Sequence, residues 1–235
     1  MEDDTELKRA LGTEAVDRFV VDGMRLGLGT GTTAIWAVRR LGAVRAAGGL
    51  RGVRVVATSI ETDLEARALG LPVSTLNDAS IGGALDLTID GADEVDPARN
   101  LIKGGGGAML LEKIVAYCSG RFLVIVDDAK LRPRLCDRFA IPLEIVPQAL
   151  APICARVRSL GGEAVLRTGV KKAGPVVTDL GNLLLDARFV SAFDPRSLED
   201  ELKLIPGVLE NGLFTKKRPE LLIAHSDGTL EHRGA

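Results

Sequence analysis

The chain has 235 residues, of which 46% are hydrophobic, 26% charged and 3% aromatic, with a formal net charge of −2. This length and composition are those of a globular protein with one large domain or two smaller ones. The near-neutral charge does not attract nucleic acid or an anionic membrane, and few aromatic side chains can stack on bases. We therefore expect neither nucleic acid nor a membrane as a partner.

The N-terminal segment, MEDDTELKRA, is charged and lacks the apolar stretch of a signal peptide. No run approaches the roughly 18–20 uninterrupted apolar residues of a membrane span. Cys118, Cys136 and Cys154 form no C-x-x-C pair, which favours reduced thiols, and His225 and His232 lie far from them in sequence. These features predict a cytoplasmic protein without a zinc site.

Up to about residue 130, short β-rich runs alternate with longer helical ones. The pattern predicts strands over 24–28, 53–59, 84–89 and 121–128, and helices over 32–47, 60–70 and 110–118. Because continuous β-branched runs alternate with amphipathic helices, we expect a parallel sheet covered on both faces.

The pattern changes near Pro142. It predicts a strand over 141–147, a helix over 148–160, strands over 162–168 and 182–189, a helix over 194–207 and a strand over 208–214. Strand–helix–strand–strand–helix–strand is the order of a ferredoxin-like domain. A last strand within 220–228 is expected to return to the first sheet.

A glycine-rich loop, GLGTGTT at 27–33, lies between a predicted strand and a predicted helix. Glycines allow close approach of the backbone, and a helix N-terminus offers N–H groups to a phosphate. Thr30, Thr32 and Thr33 add hydroxyl donors. The loop matches neither the Walker nor the G-x-G-x-x-G pattern, and the next strand lacks the acidic residue of a dinucleotide site. A phosphate site and a tight structural turn both remain open.

Three carboxylates follow the predicted strand over 84–89, in the segment DGADE at 90–94. Parallel sheets bind their ligands at this end of the strands, and a tight turn could direct Asp90 and Asp93 into one crevice. The alternative is a turn with solvated acids. The spacing does not match a calcium loop, and no histidine lies nearby.

A cation and a run of glycines follow in LIKGGGGAML, where Lys103 precedes Gly104–Gly107. Such a segment is suited to binding an anion or an oxyanion through its N–H groups. Glu112, on the next predicted helix, has apolar neighbours one turn away, so we expect it to be partly buried. Lys130 lies at the carboxyl end of another strand and could reach the same crevice.

The blocks GLGTGTTA, TSIETDLEARALG, TIDGADEVD, LIKGGGGAMLLEKIVA, VIVDDAKL, IPLEIVP, VVTDLGN and IPGVLENGLF resemble, in the same order, those of the ribose-5-phosphate isomerase A family. The resemblance implies an α/β fold, with a Rossmann-like domain that we place at 1–137 plus 215–235 and a smaller ferredoxin-like α+β domain at 138–214. It implies interconversion of D-ribose 5-phosphate and D-ribulose 5-phosphate in the non-oxidative pentose phosphate pathway. It further implies no metal or organic cofactor, and a homodimer or homotetramer.

Carried over motif by motif, the resemblance also implies roles for individual residues. Glu112 matches the proton acceptor, and Asp90, Asp93 and Lys103 match the other catalytic residues. Lys8 aligns less closely with a phosphate-side lysine. The implied substrate-binding residues are Thr30, Gly31, Thr32, Thr33, Asp90, Gly91, Ala92, Asp93, Lys103, Gly104, Gly105, Gly106 and Lys130.

The implied reaction explains why these residue types are needed. Moving a proton between adjacent carbons through an enediolate requires a carboxylate base, assigned to Glu112. Asp90 and Asp93 would handle hydroxyl protons, and Lys103 with the glycines would stabilise the oxyanion. Two alternatives are a coenzyme A transferase with Glu112 as nucleophile and a non-catalytic sugar-phosphate sensor. The short chain and the lysine–glycine block argue against the first, and the short N-terminal segment argues against the second.

Overall fold

A computed structural model describes residues 2–171 and 173–234, and the side chains within these ranges from residue 5 onward. The chain forms two compact units. Unit 1 contains the residues up to Ala92, Leu111–Lys130 and the residues from Lys217 onward, and unit 2 contains Asp93–Leu110 and Leu131–Lys216. Among the residues that the structure describes, no helix is long and apolar enough to cross a membrane.

The helices and strands are numbered in chain order. The helices are α1 (Glu2–Phe19), α2 (Ala34–Ala46), α3 (Ile60–Ala68), α4 (Met109–Tyr117), α5 (Leu150–Ser159) and α6 (Pro195–Lys203). The strands are β1 (Arg25–Leu28), β2 (Arg54–Ala57), β3 (Val73–Ser74), β4 (Leu85–Asp90), β5 (Glu94–Val95), β6 (Leu101–Ile102), β7 (Ser119–Asp127), β8 (Ile141–Ile145), β9 (Gly162–Leu166), β10 (Leu183–Phe189), β11 (Val208–Asn211), β12 (Leu213–Phe214), β13 (Glu220–Ala224) and β14 (Leu230–Arg233). Short 3-10 turns cover Asp128–Lys130 and Pro147–Ala149.

Unit 1 is built on a seven-stranded sheet with the order β14-β13-β7-β4-β1-β2-β3. Strands β1, β2, β3, β4, β7 and β13 pair in parallel, and β14 pairs with β13 in antiparallel fashion. In β7, Phe122–Val126 are all buried, which explains why the strand is continuously apolar. The predicted Rossmann-like parallel sheet is confirmed, as is the return of the last predicted strand to it.

The core of unit 1 lies between this sheet and the helices that cover it. Leu11 and Val16 of α1, Val38 and Leu41 of α2 and Leu87 of β4 belong to one buried cluster. Gly12 on α1 allows a close approach to α2, because a Cβ there would lie 2.5 Å from the Trp36 carbonyl carbon. Neither α1 nor the edge strand β14 was predicted from the sequence.

Unit 2 contains a four-stranded sheet with the order β11-β8-β10-β9, whose pairs are all antiparallel. In chain order its elements are β8, α5, β9, β10, α6 and β11, so the first and third strands lie at the centre. This is the ferredoxin-like arrangement that the sequence predicted. Leu143, Leu185, Ile153 and Leu202 form part of its buried core.

A second, three-stranded sheet in unit 2 has the order β12-β6-β5. The strand predicted over 208–214 is divided at Gly212 into β11 and β12, which belong to different sheets. Gly212 donates its N–H to the Pro142 carbonyl, and its own carbonyl accepts from the Lys103 N–H at 2.9 Å. A Cβ at Gly212 would lie 2.4 Å from the Lys103 carbonyl oxygen, so this crossing requires glycine.

The domain boundaries proposed from the sequence remain a prediction. The two compact units of the structure divide the chain at other positions. Residues 93–110, 131–137 and 215–216, which were predicted to belong to the Rossmann-like domain, belong to unit 2. The physical reason is pairing: β6 pairs with both β5 and β12, so the segment after Ala92 joins the later part of the chain.

Candidate active site

Several of the predicted site residues lie at one edge of the unit 1 sheet. Because β1, β2, β4 and β7 are parallel, their carboxyl ends share that edge. The glycine loop follows β1, Asp90 ends β4, and the turn that carries Lys130 follows β7. This is where open parallel sheets bind their ligands.

Asp90 is fully buried, and it fastens the glycine loop to β4. Its Oδ1 accepts from the Gly91 N–H at 2.7 Å and from the Thr30 N–H at 3.3 Å. Gly29 donates its N–H to the Ile89 carbonyl at 2.9 Å, and a Cβ at Gly29 would lie 2.0 Å from Asp90 Oδ1. The glycine is therefore required for the carboxylate to approach the loop this closely.

A cluster of hydroxyl groups surrounds the Thr30 side chain. Thr30 Oγ1 lies 2.8 Å from Thr58 Oγ1, 2.7 Å from Ser59 Oγ and 3.2 Å from Thr62 Oγ1. Thr62 Oγ1 also donates to the Gly29 carbonyl at 2.9 Å. Thr58, Ser59 and Thr62 are buried, so the cluster has little freedom to rearrange.

The buried members of this hydroxyl cluster, Thr58, Ser59 and Thr62, were not predicted as site residues from the sequence. The available signal was a helix start: Ser59 caps α3, and its side chain accepts from the Thr62 N–H. A cap alone gives no reason to expect contact with a loop about 30 residues earlier, since that contact depends on the pairing of β1 with β2.

The rest of the loop leads into α2. Gly31 has a φ of +106°, a conformation that favours glycine, and its carbonyl accepts from the Ile35 N–H. Thr33 is the N-cap of α2, but its side chain makes no capping hydrogen bond. Thr32 is exposed and Thr33 half-buried. Hydroxyls and N–H groups at the start of a 13-residue helix suit an anion such as a phosphate.

Glu112 lies in α4 and is 5% exposed. Val115, one turn further along the same helix, is also buried. The partial burial expected for Glu112 from its apolar helical neighbours is therefore confirmed. A carboxylate with so little water around it is suited to proton transfer.

Lys130 is half-buried in a turn that is fastened to the β13–β14 hairpin. His225, just after β13, lies 3.7 Å from Asp128 Oδ2 through Nδ1 and 3.1 Å from Glu231 Oε2 through Nε2. Arg233 binds both oxygens of Glu231 at 2.7 and 3.0 Å, and this contact lowers the pKa of Glu231 to about 2. The direct link between the hairpin and the turn is the hydrogen bond from the Ser226 N–H to Asp128 Oδ2 at 3.1 Å.

In unit 2, Asp93 is bound to the glycine turn that follows β6. Its Oδ2 accepts from the Gly105 N–H at 2.7 Å, and its own N–H donates to the Ile102 carbonyl at 2.8 Å. A Cβ at Gly105 would lie 2.6 Å from Asp93 Oδ1, so only glycine permits this approach. Asp93 and Gly105, which sequence analysis assigned to the same site, are therefore in direct contact.

Lys103 is buried at 2% exposure beside β12. Its Nζ lies 5.7 Å from the centroid of the Phe214 ring, within range of a cation–π interaction. The turn that follows is closed by a hydrogen bond from the Gly107 N–H to the Gly104 carbonyl at 3.0 Å. Gly104 has a φ of +103°, and a Cβ there would lie 2.8 Å from Met109 Cβ.

Glu94, the third acid of DGADE, is fully buried and binds backbone groups. Its carboxylate accepts from the N–H groups of Asp137, Arg138 and Phe139 at 3.2, 2.5 and 2.7 Å. Three hydrogen bonds from backbone amides to one carboxylate anchor this segment of unit 2. The acidic segment DGADE thus contains one carboxylate, that of Glu94, with a structural role.

Unit 1 holds Thr30–Thr33, Asp90–Ala92, Glu112 and Lys130, and unit 2 holds Asp93 and Lys103–Gly106. Within residues 2–171 and 173–234, no group of three or more His, Cys, Asp or Glu side chains could hold a metal ion.

The fold and these residues define a class: α/β proteins that bind a small anionic ligand at the carboxyl ends of parallel strands. A family model described as ribose 5-phosphate isomerase A (phosphoriboisomerase A) matches residues 54–228. The chain belongs to the ribose-5-phosphate isomerase A family.

Individual relatives agree with this assignment over nearly the whole chain. The ribose-5-phosphate isomerase A of Treponema denticola is 47% identical over 97% of this chain and 99% of its own length. The solved structure of ribose 5-phosphate isomerase A from Methanocaldococcus jannaschii has a TM-score of 0.90 and 40% identity, covering 98% of this chain and 99% of that chain. A solved D-ribose-5-phosphate isomerase in complex with phospho-erythronic acid has a TM-score of 0.91 and 39% identity, covering 97% of this chain and 98% of that chain.

Proposed function

We propose that this chain is an aldose–ketose isomerase that interconverts D-ribose 5-phosphate and D-ribulose 5-phosphate in the non-oxidative pentose phosphate pathway. One observation carries the proposal: the family match, residues 54–228, includes every proposed catalytic residue. Each of these residues is also held in place by its own unit. Backbone amides bind Asp90 and Asp93, while Lys103 and Glu112 are buried.

In the proposed mechanism, the open-chain aldose loses the proton on the carbon next to its aldehyde. The Glu112 carboxylate accepts this proton and returns it to the former aldehyde carbon, so no net proton is consumed. Asp90 and Asp93 carry the hydroxyl protons that move between the two oxygens. Lys103 and the amides of the glycine turn stabilise the oxyanion of the enediolate.

The phosphate of the substrate is assigned to Thr30, Gly31, Thr32 and Thr33 at the start of α2. Binding energy at this distant group helps to orient the reacting carbons. Lys130 provides a further substrate contact. The phospho-erythronic acid complex of the related isomerase supports a phosphorylated acid as a ligand of this kind of site.

The direct test is turnover of ribose 5-phosphate by purified protein after exhaustive treatment with EDTA. We expect full activity, because Lys103 and backbone amides, rather than a metal ion, stabilise the oxyanion in this mechanism. Activity that is lost in EDTA and restored by one divalent ion would contradict the mechanism. A protein that binds ribose 5-phosphate without turnover would be the sensor, and one that acts only on a coenzyme A thioester would be the transferase.

A second test concerns the phosphate loop. Thr30→Val keeps the shape of the side chain but removes the hydroxyl that contacts Thr58, Ser59 and Thr62. This hydroxyl holds the phosphate loop in position, and one hydrogen bond contributes about 0.5–1.5 kcal/mol, so we expect KM to rise by about two- to tenfold and kcat to fall by less.

Inorganic phosphate should compete with the substrate, and more weakly in the variant. Thr229→Val removes a hydroxyl from the exposed β13–β14 turn and serves as the matched control. Unchanged kinetics in Thr30→Val, together with no inhibition by phosphate in either protein, would mean that the loop is only a structural turn.

We further propose that the protein is cytoplasmic, as its N-terminal segment and cysteines predict, and that it forms a homodimer or homotetramer, as the family resemblance implies. Light scattering on the purified protein distinguishes these two assemblies.

A further inference from the structure

Arg167 contacts the glycine turn of unit 2 from the end of β9. Its Nη1 donates to the Gly104 carbonyl at 3.0 Å and to the Gly105 carbonyl at 3.1 Å. Its Nε and Nη2 bind the two carboxylate oxygens of Asp186 at 2.9 and 2.5 Å. The bidentate pair fixes the plane of the guanidinium, which is 17% exposed, so its remaining nitrogen is aimed at two consecutive carbonyls.

The geometry of a trans peptide relates these contacts to Asp93. In such a peptide the C=O and the N–H point in opposite directions. Because the Gly104 carbonyl faces Arg167, the Gly105 N–H faces away from it and donates to Asp93 Oδ2 at 2.7 Å. This peptide therefore lies between a guanidinium and a carboxylate, and each hydrogen bond strengthens the other.

The next peptide, between Gly105 and Gly106, has the most conformational freedom in this turn. Gly104 to Gly107 form a turn closed by a hydrogen bond between its ends, and that bond does not involve the central Gly105–Gly106 peptide. A central peptide can face either way, which is the difference between turn types I and II, and glycine permits both. The bond from Arg167 to the Gly105 carbonyl selects one orientation, with the Gly106 N–H directed away from the guanidinium.

We propose that Arg167, held by Asp186, is a positioning residue that orients both peptides of the glycine turn for catalysis. The Gly105 N–H then holds Asp93, and the Gly106 N–H is presented to the substrate oxyanion. This inference rests on the proposed function, in which Asp93 and the glycine turn serve the reacting carbons. Its effect therefore falls on the reacting end of the substrate and not on the phosphate end.

The test compares two probes in Arg167→Gln and the wild-type protein. Phospho-erythronic acid carries a carboxylate and a phosphate, whereas inorganic phosphate reports on the phosphate loop alone. Hydrogen bonds to a charged group predict a loss of about 10- to 100-fold in both kcat and phospho-erythronic acid affinity. The affinity for inorganic phosphate should change by less than about twofold. The proposed phosphate site is Thr30–Thr33 of unit 1, whereas Arg167 acts on the glycine turn of unit 2.

Two further variants separate positioning from stability. Arg167→Lys keeps a cation that can reach a carbonyl but cannot bind Asp186 in bidentate fashion, so it should recover part of the lost activity. Arg40→Gln removes a bidentate pair with Asp17, at 2.8 and 2.8 Å in unit 1, and should leave both affinities and kcat unchanged. Thermal unfolding of all variants reports the structural contribution of each pair.

The inference is wrong if Arg167→Gln keeps kcat within about threefold of wild type, a smaller loss than one such hydrogen bond predicts. It is also wrong if the variant loses affinity for phospho-erythronic acid and for inorganic phosphate by the same factor. Should Arg167→Gln not fold, Asp186→Asn gives the same reading, because it loosens the guanidinium and should reduce phospho-erythronic acid affinity selectively. Absence of turnover in the wild-type protein would instead overturn the proposed function, while the two binding measurements would still decide the role of Arg167.

Discussion

Glu112→Gln should lower kcat by about a hundred- to ten-thousand-fold while the protein still folds and binds phospho-erythronic acid with similar affinity. The amide matches the carboxylate in shape and helix propensity, but it cannot accept the proton of the substrate carbon. A positioned general base contributes this much rate, which corresponds to about 3–5 kcal/mol of barrier. The 5% exposure of Glu112 favours the upper part of the range, because little water is available to replace the base.

The measurement combines steady-state kinetics with exchange of the transferred hydrogen in deuterated water. Exchange should fall in parallel with kcat, since the same carboxylate removes and returns the proton. Glu201→Gln, an exposed position on α6, makes the same chemical change and should leave both quantities unaltered. If Glu112→Gln keeps more than about a tenth of the wild-type kcat, the base lies elsewhere and Asp90 is the first residue to test.

The regular elements and the local parts of the site could be predicted because their signals are short-range. Continuous apolar runs identified β4 and β7, and the strand and helix order identified the ferredoxin-like arrangement of unit 2. The contact of Asp93 with Gly105 joins two motifs only 12 residues apart in sequence. Glycine at position 105 was itself a signal, since a Cβ there would collide with the carboxylate.

Other features depend on contacts between distant parts of the chain, for which no local pattern exists. The division at Gly212 of the strand predicted over 208–214 follows from hydrogen bonds of Gly212 to Pro142 and Lys103, far earlier in the sequence. Arg167 lies 63 residues after Gly104 and directly after β9, in a segment whose sequence indicates nothing about the turn that Arg167 contacts. Positions of this kind become visible only when the sheet registers are known.

The helix α1 is a different kind of omission. Its buried residues Leu11, Ala15, Val16 and Phe19 have helical spacing, so the periodic signal was present. It is weakened by the small side chain at Ala15 and by Gly12, which is there for close packing against α2. When the buried face of a helix contains small residues, its two faces differ little in hydrophobicity, although the helix packs tightly.

Lys103→Met should lower kcat by about a hundred- to a thousand-fold, with a much smaller change in KM. This is the loss that follows removal of one oxyanion donor, and here the donor also carries the charge. Methionine keeps most of the stem of the lysine and can pack against the Phe214 ring, so the buried position remains filled. The charge matters most in the enediolate, where negative charge develops on the substrate oxygen, and less in the bound aldose.

Thermal unfolding distinguishes this catalytic role from a structural one. If the cation of Lys103 served mainly to stabilise β12 through Phe214, the variant would lose stability while retaining most of its kcat. Lys203→Met, which removes an exposed lysine paired with Glu210 at 3.0 Å, is the matched control and should keep the wild-type kcat. The catalytic role predicts a fall in kcat with an unchanged melting temperature. Relative to the wild-type protein, the variant should also lose more affinity for phospho-erythronic acid than for inorganic phosphate, which places the lost charge at the reacting end of the substrate.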